Sequence, residues 1–361
     1  MRLQTPTAAS NLCCANAENY KPVLGERSIG ADSLEVWAHS QRLRNCSHVE
    51  LSQVPYHSAS APYAESETGR SYSPLRGGRA GIDNRIVSNR PTAQNQWQRR
   101  IQRAEELGAQ YSFATEILRF YVAVARFQAR LSEELSRSRA LSMPATSEAN
   151  IFEEQLPTEL VSRFRSFLSV IQKNGPEAVR GAADELRNAG DDANVRMLTA
   201  FWHGADHAEV SPGPQDFFAR AFLQPYAVAL RSQINLRSDG PAPYICPFCK
   251  RKPGLGILRP LGDGGQRSLV CSLCLAEWEF RRIVCPGCGE ENHAKLPVYT
   301  AEELKHVRVE ACDSCRTYIK TVDMTTNGLA EPVVDEMASI PLDLWAQGQG
   351  YAKLQPNLLQ L

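Results

Sequence analysis

CPFC at residues 246–249 opens the segment that decides the fold, because three more C-x-x-C pairs follow it closely. The later pairs are CSLC at 271–274, CPGC at 285–288 and CDSC at 312–315. Eight of the eleven cysteines in the chain lie in these four pairs. A long gap separates the first pair from the second and the third from the fourth, and a short link joins the two halves. This spacing predicts two sites of four cysteines each.

Four cysteines in two C-x-x-C pairs can complete a tetrahedral shell around zinc, or around iron in a rubredoxin-like site. The two-residue spacer allows a tight turn in which both sulfurs face one point while backbone N–H groups offset their charge. Pro247, Pro286 and Gly287 are turn formers inside these spacers. A full sulfur shell leaves no coordination position for water, which argues against hydrolytic metal catalysis. We therefore expect no hydrolytic chemistry at these sites.

Two other interpretations of the cysteines carry less weight. Structural disulfides require an oxidising compartment, and no secretory signal is visible. A lone C-x-x-C pair is typical of thioredoxin-like redox chemistry, but four tandem pairs with alternating gaps are not. Reduced cysteines at metal-ligand spacing predict a cytoplasmic protein.

Consecutive pairing is predicted, because each long gap suits a hairpin between two cysteine turns. The predicted ligands are Cys246, Cys249, Cys271 and Cys274 for the first metal, and Cys285, Cys288, Cys312 and Cys315 for the second. Cross-braced pairing, first with third and second with fourth, is the alternative. In the short link Trp278, Phe280 and Val284 alternate with polar residues, which predicts one half-buried strand that ties the two sites into a rigid unit.

The overall charge and hydropathy exclude some classes of protein. Lys+Arg and Asp+Glu both number 40, so the formal net charge is zero and bulk attraction to nucleic acid or acidic membranes is not expected. No apolar run is long enough for a membrane span. A basic cluster in the first ribbon leaves nucleic-acid binding as a weaker alternative, since glutamates oppose it. The cluster comprises Lys250, Arg251, Lys252, Arg259 and Arg267.

Composition divides the 361 residues into four parts. Residues 1–92 are rich in Ser, Asn, Ala, Arg and Pro, which predicts a disordered N-terminal extension. Residues 93–240 are predicted to form an all-helical domain of five or six helices. The first metal ribbon is expected over 241–283, and the second, with a C-terminal tail, over 284–361. The predicted fold class is thus α+β, with a helical domain followed by two consecutive rubredoxin-like or zinc-ribbon modules.

Helical periodicity is clearest in two stretches. Trp97, Ile101 and Leu107 recur at helical spacing, and an aromatic stripe follows from Phe113 to Phe127. We expect this stripe to be hydrophobic core and not a ligand pocket.

The histidines are not expected to be metal ligands. His293 and His306 lie near the cysteine turns, but a four-sulfur shell is already full. Asp206 between His203 and His207 resembles part of a metal or catalytic cluster, although we expect no function there.

The motif set resembles the formate dehydrogenase accessory protein FdhE family over roughly residues 94–361. Specific features stand beside the cysteine pairs and near the C-terminus. They are Tyr244-Ile245, Glu277-Trp278, Thr317-Tyr318-Ile319-Lys320 and Leu342-Asp343-Leu344-Trp345-Ala346.

The resemblance implies a cytoplasmic maturation factor, and not an enzyme. Such a factor binds the formate dehydrogenase catalytic subunit before its export by the twin-arginine pathway. It implies rubredoxin-like iron in both sites, with zinc as the chemical alternative. We expect no nucleic-acid partner and no membrane span, with a homodimer as an additional possibility. A rubredoxin-like redox protein acting on the client's cofactor is the second hypothesis.

The client is expected to bind in the cleft between the helical domain and the ribbons. Candidate contacts are Trp278, Phe280, Arg281 and Arg282. The alternative is that the aromatics are core and the arginines are solvated.

Overall fold

The chain has an α+β architecture, in which a helical region lies between the first strand and the remaining strands of one sheet. The computed structural model describes residues 51–54, 93–137, 155–204, 214–233, 243–262 and 264–360. The disordered extension predicted for 1–92 lies outside these residues except for Leu51–Val54, which form an edge strand. Asp206 and His207 also lie outside them.

Seven α-helices lie between strand Leu51–Val54 and the next strand within the described residues. They are α1 Ala93–Gln110, α2 Thr115–Arg137, α3 Thr158–Val161, α4 Phe164–Asn174, α5 Glu177–Ala189, α6 Asp191–His203 and α7 Pro214–Ser232. The count exceeds the prediction because the stretch after Pro157 divides into α3 and α4 at Ser162 and Arg163. None of the helices in the described ranges combines the length and the apolar composition that crossing a lipid bilayer requires.

The aromatic stripe of α2 is core, as expected. Phe127 packs on Phe167 of α4 with ring centroids 5.1 Å apart, and Phe164 meets Phe222 of α7 edge-on at 5.1 Å. Such pairs add to the stabilisation from burial. Gln128 lies in the same stripe, fully buried, and donates its amide to the carbonyl of Ala221 at 2.7 Å. The core therefore joins α2, α4 and α7.

The strands form one eight-stranded sheet. They are β1 Leu51–Val54, β2 Pro253–Leu261, β3 Gly264–Cys271, β4 Glu277–Glu279, β5 Val298–Ala301, β6 Val307–Cys312, β7 Thr317–Asp323 and β8 Ala352–Lys353. Their order is β1-β5-β6-β7-β2-β3-β4, and β8 pairs with β7. Each ribbon contributes an antiparallel hairpin, β2–β3 or β6–β7.

The two ribbons join through a parallel pair, β2 with β7. Gly256 lies opposite Thr321, whose hydroxyl occupies the space that a Cβ would need. A buried ion pair at 2.6 Å between Arg267 and Glu310 adds a second link. The strand predicted in the short link is wrong beyond Glu279, where the chain bends. The shared sheet, and not this link, makes the ribbons one unit.

Two helices and the last strand close the C-terminal half. They are α8 Pro332–Ala338, α9 Ile340–Gly348 and β8. Lys320 of β7 contacts Asp343 at 2.6 Å and Glu336 at 3.1 Å, and Lys353 contacts the same two carboxylates at 3.0 and 2.5 Å. Tyr318 donates to Asp343 at 2.7 Å. This buried quartet of two lysines and two carboxylates is electrically neutral.

Ion pairs dock the helices on the C-terminal half. Arg103 of α1 makes two bonds to the carboxylate of Asp335, at 2.6 and 3.0 Å. His306 contacts the same carboxylate at 2.7 Å. Burial acts to raise the pKa of Asp335, but the bonds from His306 and Arg103 outweigh it and hold the pKa below its usual range.

Candidate metal centres

The first cluster lies where the first ribbon meets the helices. Two of its cysteines belong to the turn before β2 and two to the turn that ends β3, and all four are buried. The Sγ atoms of Cys246 and Cys274 are 3.5 Å apart, and those of Cys249 and Cys271 are 3.1 Å apart. Arg251 lies beside the cluster, with its guanidinium 4.1 Å from the ring centre of Phe201 in α6.

The second cluster is closer to solvent. Cys285 and Cys312 are buried, whereas Cys315 is half-buried and Cys288 is exposed. The Sγ atoms of Cys285 and Cys315 are 3.7 Å apart, as are those of Cys288 and Cys312. Both groupings follow the predicted consecutive pairing and not the cross-braced alternative.

All four cysteine turns share one backbone feature. The residue after the second cysteine has a positive φ, in the left-handed region. These residues are Lys250 at 59°, Leu275 at 55°, Gly289 at 80° and Arg316 at 56°. In the first turn the N–H of Lys250 returns to the carbonyl of Cys246 at 2.9 Å, and two other turns repeat this bond. The left-handed residue therefore reverses the chain so that both sulfurs face inward.

Backbone N–H groups point at sulfurs in both clusters, as the spacer geometry predicts. Leu273 donates to Cys271 Sγ at 3.4 Å, and Gly287 donates to Cys285 Sγ at 3.3 Å. Such bonds stabilise a thiolate and reduce the charge that a metal must neutralise.

Each cluster contains one thiol that ionises easily. Burial acts to raise the pKa of Cys271, but bonds from the neighbouring thiols outweigh it and hold that pKa well below its usual value. Burial likewise opposes ionisation of Cys315, but the hydroxyl and N–H of Thr317 lower its pKa to about 7. Burial raises the pKa of Cys249 and Cys285. Each cluster thus offers a first thiolate to an incoming cation.

The donor sets fit a tetrahedral ion. Metal–sulfur bonds of about 2.3 Å place the sulfurs of a tetrahedral shell about 3.8 Å apart, close to the 3.7 Å separations of the second cluster. Within each cluster the four sulfurs lie within 4.8 Å of one another. Neither nearby histidine joins a cluster, since His293 is exposed and His306 contacts Asp335. Each cluster could therefore hold one zinc or iron ion with sulfur ligands alone.

The aromatic residues of the short link belong to the core. Trp278 and Phe280 are buried, and the indole of Trp278 donates to the carbonyl of Pro243 at 2.9 Å. Arg281 and Arg282 are exposed. The structure thus agrees with the alternative interpretation, in which the aromatics are core and the arginines are exposed. A cleft does open between α1 and the first ribbon, but other residues line it.

The buried quartet was not found from the sequence. Lys320 and Asp343 belong to the quoted motifs, yet no pattern showed that they pair with each other and with Glu336 and Lys353. The available signal was a lysine within the mostly apolar run Tyr318 to Val322, where an unpaired buried charge would be costly.

Two family models match the sheet-containing half. The model described as FdhE, central domain matches residues 245–282, and the model described as FdhE, C-terminal domain matches residues 283–360.

Several curated proteins named Protein FdhE homolog are similar to the chain. The one from Aquifex aeolicus (strain VF5) is 27% identical over 197 residues, which cover 54% of this chain and 68% of that protein. The one from Proteus mirabilis (strain HI4320) is 26% identical, with 74% of this chain and 89% of that protein covered. A homologue from Pseudomonas putida is 35% identical, but the match spans only 32% of this chain and 37% of that protein.

One solved structure extends the similarity to the helices. The crystal structure of the FdhE protein from Pseudomonas aeruginosa superposes with a TM-score of 0.54 at 25% identity. The match covers 74% of this chain and 96% of that chain. The match is longer than the sheet-containing half of this chain, so the shared fold extends into the helical region.

Proposed function

The chain belongs to the FdhE family, and from that premise we propose that it is an accessory protein for formate dehydrogenase. It binds the catalytic subunit in the cytoplasm before export and supports the formation of active enzyme. Its own residues carry out no metabolic reaction. The chain acts by presenting a surface to its client.

The two four-cysteine clusters in one shared sheet are the observation that carries this proposal. A metal held by four sulfurs has no position for substrate or water, so it serves as a cross-link or as an electron carrier. Metal–thiolate bonds also supply folding energy. The clusters thus support a binding scaffold better than an enzyme.

The metal ligands are the eight cysteines of the two clusters. Cys246, Cys249, Cys271 and Cys274 hold the first ion, and Cys285, Cys288, Cys312 and Cys315 hold the second. Either iron or zinc suits this donor set. Iron would supply a one-electron couple, whereas zinc would supply only a cross-link.

A rubredoxin-like redox role is the second candidate, and the exposure of Cys288 favours it. Electrons reach a metal most readily where a ligand sulfur meets solvent or a partner. The second cluster, loaded with iron, would then adjust the redox state of the client's cofactor.

Nucleic-acid binding has less support, because basic residues of the first ribbon are engaged internally. Arg259 makes two bonds of 2.8 Å to the carboxylate of Glu277, and Arg267 is buried against Glu310. These side chains form no continuous basic stripe of the kind that phosphate backbones require.

Complementation tests the proposed function. In a strain that lacks the chromosomal gene, we expect the chain to restore formate dehydrogenase activity and to co-purify with the catalytic subunit. A Cys246→Ser, Cys312→Ser double variant should do neither, whereas Cys46→Ser, outside the C-x-x-C pairs, should behave as the parent. Equal activity with and without the gene would refute the proposal.

Metal analysis of protein purified without oxygen separates the two candidate roles. Two irons per chain with sulfur-to-iron charge-transfer bands support a redox role. Two zincs in a colourless solution support a scaffold that acts by binding alone.

A further inference from the structure

A cleft of about 530 Å³ lies between α1, the first ribbon and the segment 324–333. This volume falls in the range of sites for small molecules and short peptides. Apolar side chains from the sheet and from this segment line part of it, namely Ile257, Val270, Leu275, Met324 and Val333. Five arginines also line it, namely Arg99, Arg100, Arg103, Arg231 and Arg259. Three glutamates, Glu106, Glu277 and Glu331, complete the charged lining, so the cleft combines apolar surface with an excess of guanidinium groups over carboxylates.

Three of these arginines pair with carboxylates of the chain, and two of the three do so through two bonds each. Arg259 is held by Glu277 through two bonds of 2.8 Å. Arg103 is held by Asp335 at 2.6 and 3.0 Å. Both pairs have the two-bonded geometry that guanidinium and carboxylate groups favour. These arginines form the walls of the cleft and have little capacity left for a ligand.

Arg99 and Arg100 of α1 have donors to spare. Arg100 is 1% exposed, and its Nε contacts Glu331 at 3.2 Å, but its buried Nη1 has no acceptor in the described part of the chain. Arg99 is exposed and makes no ion pair or hydrogen bond with any described residue. A buried donor without an acceptor is costly, so an oxygen ligand that reached Arg100 would be favoured.

Leu329 lies among the residues that line the cleft and has 87% of its surface exposed. A single exposed leucine is ordinary on a protein surface. Beside Arg99, the free Nη1 of Arg100 and an apolar lining, it provides contact area for a ligand that has both acidic and apolar groups. A small inorganic anion would leave this apolar surface uncovered.

We propose that this cleft binds an extended acidic peptide segment of a partner protein. Carboxylates of the segment meet Arg99 and Arg100, and an apolar side chain packs between Leu329 and Val333. The identity of the partner, the formate dehydrogenase catalytic subunit, rests on the proposed function. The chemistry of the segment rests on the cleft alone.

Fluorescence anisotropy of the full, metal-loaded chain tests this proposal. The probe is a short labelled peptide that alternates glutamate with leucine, and its counterpart has glutamine in place of glutamate. We expect saturable binding of the glutamate peptide that weakens with salt, and at least about tenfold weaker binding of the glutamine peptide. Equal affinity for the two peptides overturns the proposal.

Matched variants locate the binding. Arg99→Glu should weaken binding by about tenfold, while Arg119→Glu, an exposed arginine of α2 outside the cleft, should leave it unchanged. Leu329→Ser should weaken binding several-fold, while Leu261→Ser, at an exposed leucine of β2 outside the cleft, should not. If a variant and its control weaken binding equally, the proposal is overturned. It is also overturned if inorganic phosphate displaces the labelled peptide at a lower concentration than the unlabelled glutamate peptide does.

Co-purification with the catalytic subunit keeps the two proposals distinct. If Arg99→Glu loses the peptide but still binds the catalytic subunit, the segment in the cleft does not come from that subunit. The proposed accessory role would then stand. Failure of the parent chain to bind the client, with peptide binding intact, would overturn the accessory role alone.

Discussion

Lys320 and Lys353 share two carboxylates inside the C-terminal half. Because the four charges balance, replacing any one of these four residues by a neutral one leaves a charge without its partner. The side chain of Lys320 is fully buried, and those of Glu336 and Asp343 are 1% exposed. A buried pair adds little net stability over an apolar replacement, but removing one partner strands a charge. The quartet therefore fixes the arrangement of β7, β8, α8 and α9 more than it strengthens it.

Lys320→Met should lower the free energy of unfolding by about 3–5 kcal/mol, because Glu336 and Asp343 then share a single ammonium group. Adding Asp343→Asn should recover much of this loss, since one lysine then faces one carboxylate. Urea unfolding of the single and double variants measures both effects. A double variant that is less stable than Lys320→Met would contradict this explanation.

Cys246→Ser should remove one metal per chain and leave the second, because each cluster is complete in itself. Metal analysis of the purified variant checks this, and circular dichroism should show that the helical content persists. Cys46→Ser is the matched control and should retain two metals. An unchanged metal content in Cys246→Ser would refute the ligand assignment.

The two ribbons are similar elements in different surroundings. The first cluster belongs to the large core that includes Phe201, Trp202 and Phe222 of the helices. The second packs in a small separate group around Leu296. A site with fewer buried contacts opens locally at lower cost. The second ribbon should therefore exchange its metal more readily.

A chromogenic chelator should release the metals in two phases of equal amplitude, the first about tenfold faster or more. Cys288→Ser should abolish the fast phase and leave the slow one, because the exposed cysteine belongs to the second cluster. Release of both metals from the parent protein in one phase would show that the packing around each cluster does not set its rate of metal release.

The sequence predicted those elements whose signals are local. The cysteine spacing predicted both clusters, and the periodicity of Trp97, Ile101 and Leu107 predicted the buried face of α1. One feature of the sheet could not be predicted in this way. The parallel pairing of Gly256 with Thr321 joins distant segments, and no short-range pattern specifies it.

Of the four left-handed residues that follow the cysteine pairs, only one could be recognised from its residue type. Gly289 is a residue type that marks such a position, whereas Lys250, Leu275 and Arg316 are not. At these three positions the surrounding turn, and not the residue's own preference, imposes the conformation.

At the scale of the whole molecule, carboxylates with lowered pKa values bind the parts together. Asp335 of α8 holds Arg103 of α1 and His306 before β6. Because its pKa in the folded chain lies below its ordinary value, its contribution is complete above about pH 4 and is lost as the pH falls through the lower, folded-state pKa.

Asp335→Asn should therefore destabilise the chain at neutral pH by about 3 kcal/mol or more, and this difference from the parent should shrink as the pH falls below about 4. Urea unfolding of the variant and the parent at a series of pH values measures this difference. Acid acts on the cysteine clusters of both proteins alike, so that effect cancels. A difference that stays constant into the acid range would contradict the role given to Asp335.

Arg220 of α7 donates to the carbonyl of Pro356 at 2.8 Å, and Leu354 donates to the carbonyl of Tyr318 at 2.8 Å. A ribosome makes the helical region and both ribbons before it makes this segment. Domains generally fold in the order in which they are synthesised, yet here the helices and the sheet both await residues near the carboxyl end. The nascent chain therefore leaves Arg220 uncovered until translation reaches Pro356, and a chain stalled earlier is the form most open to proteases.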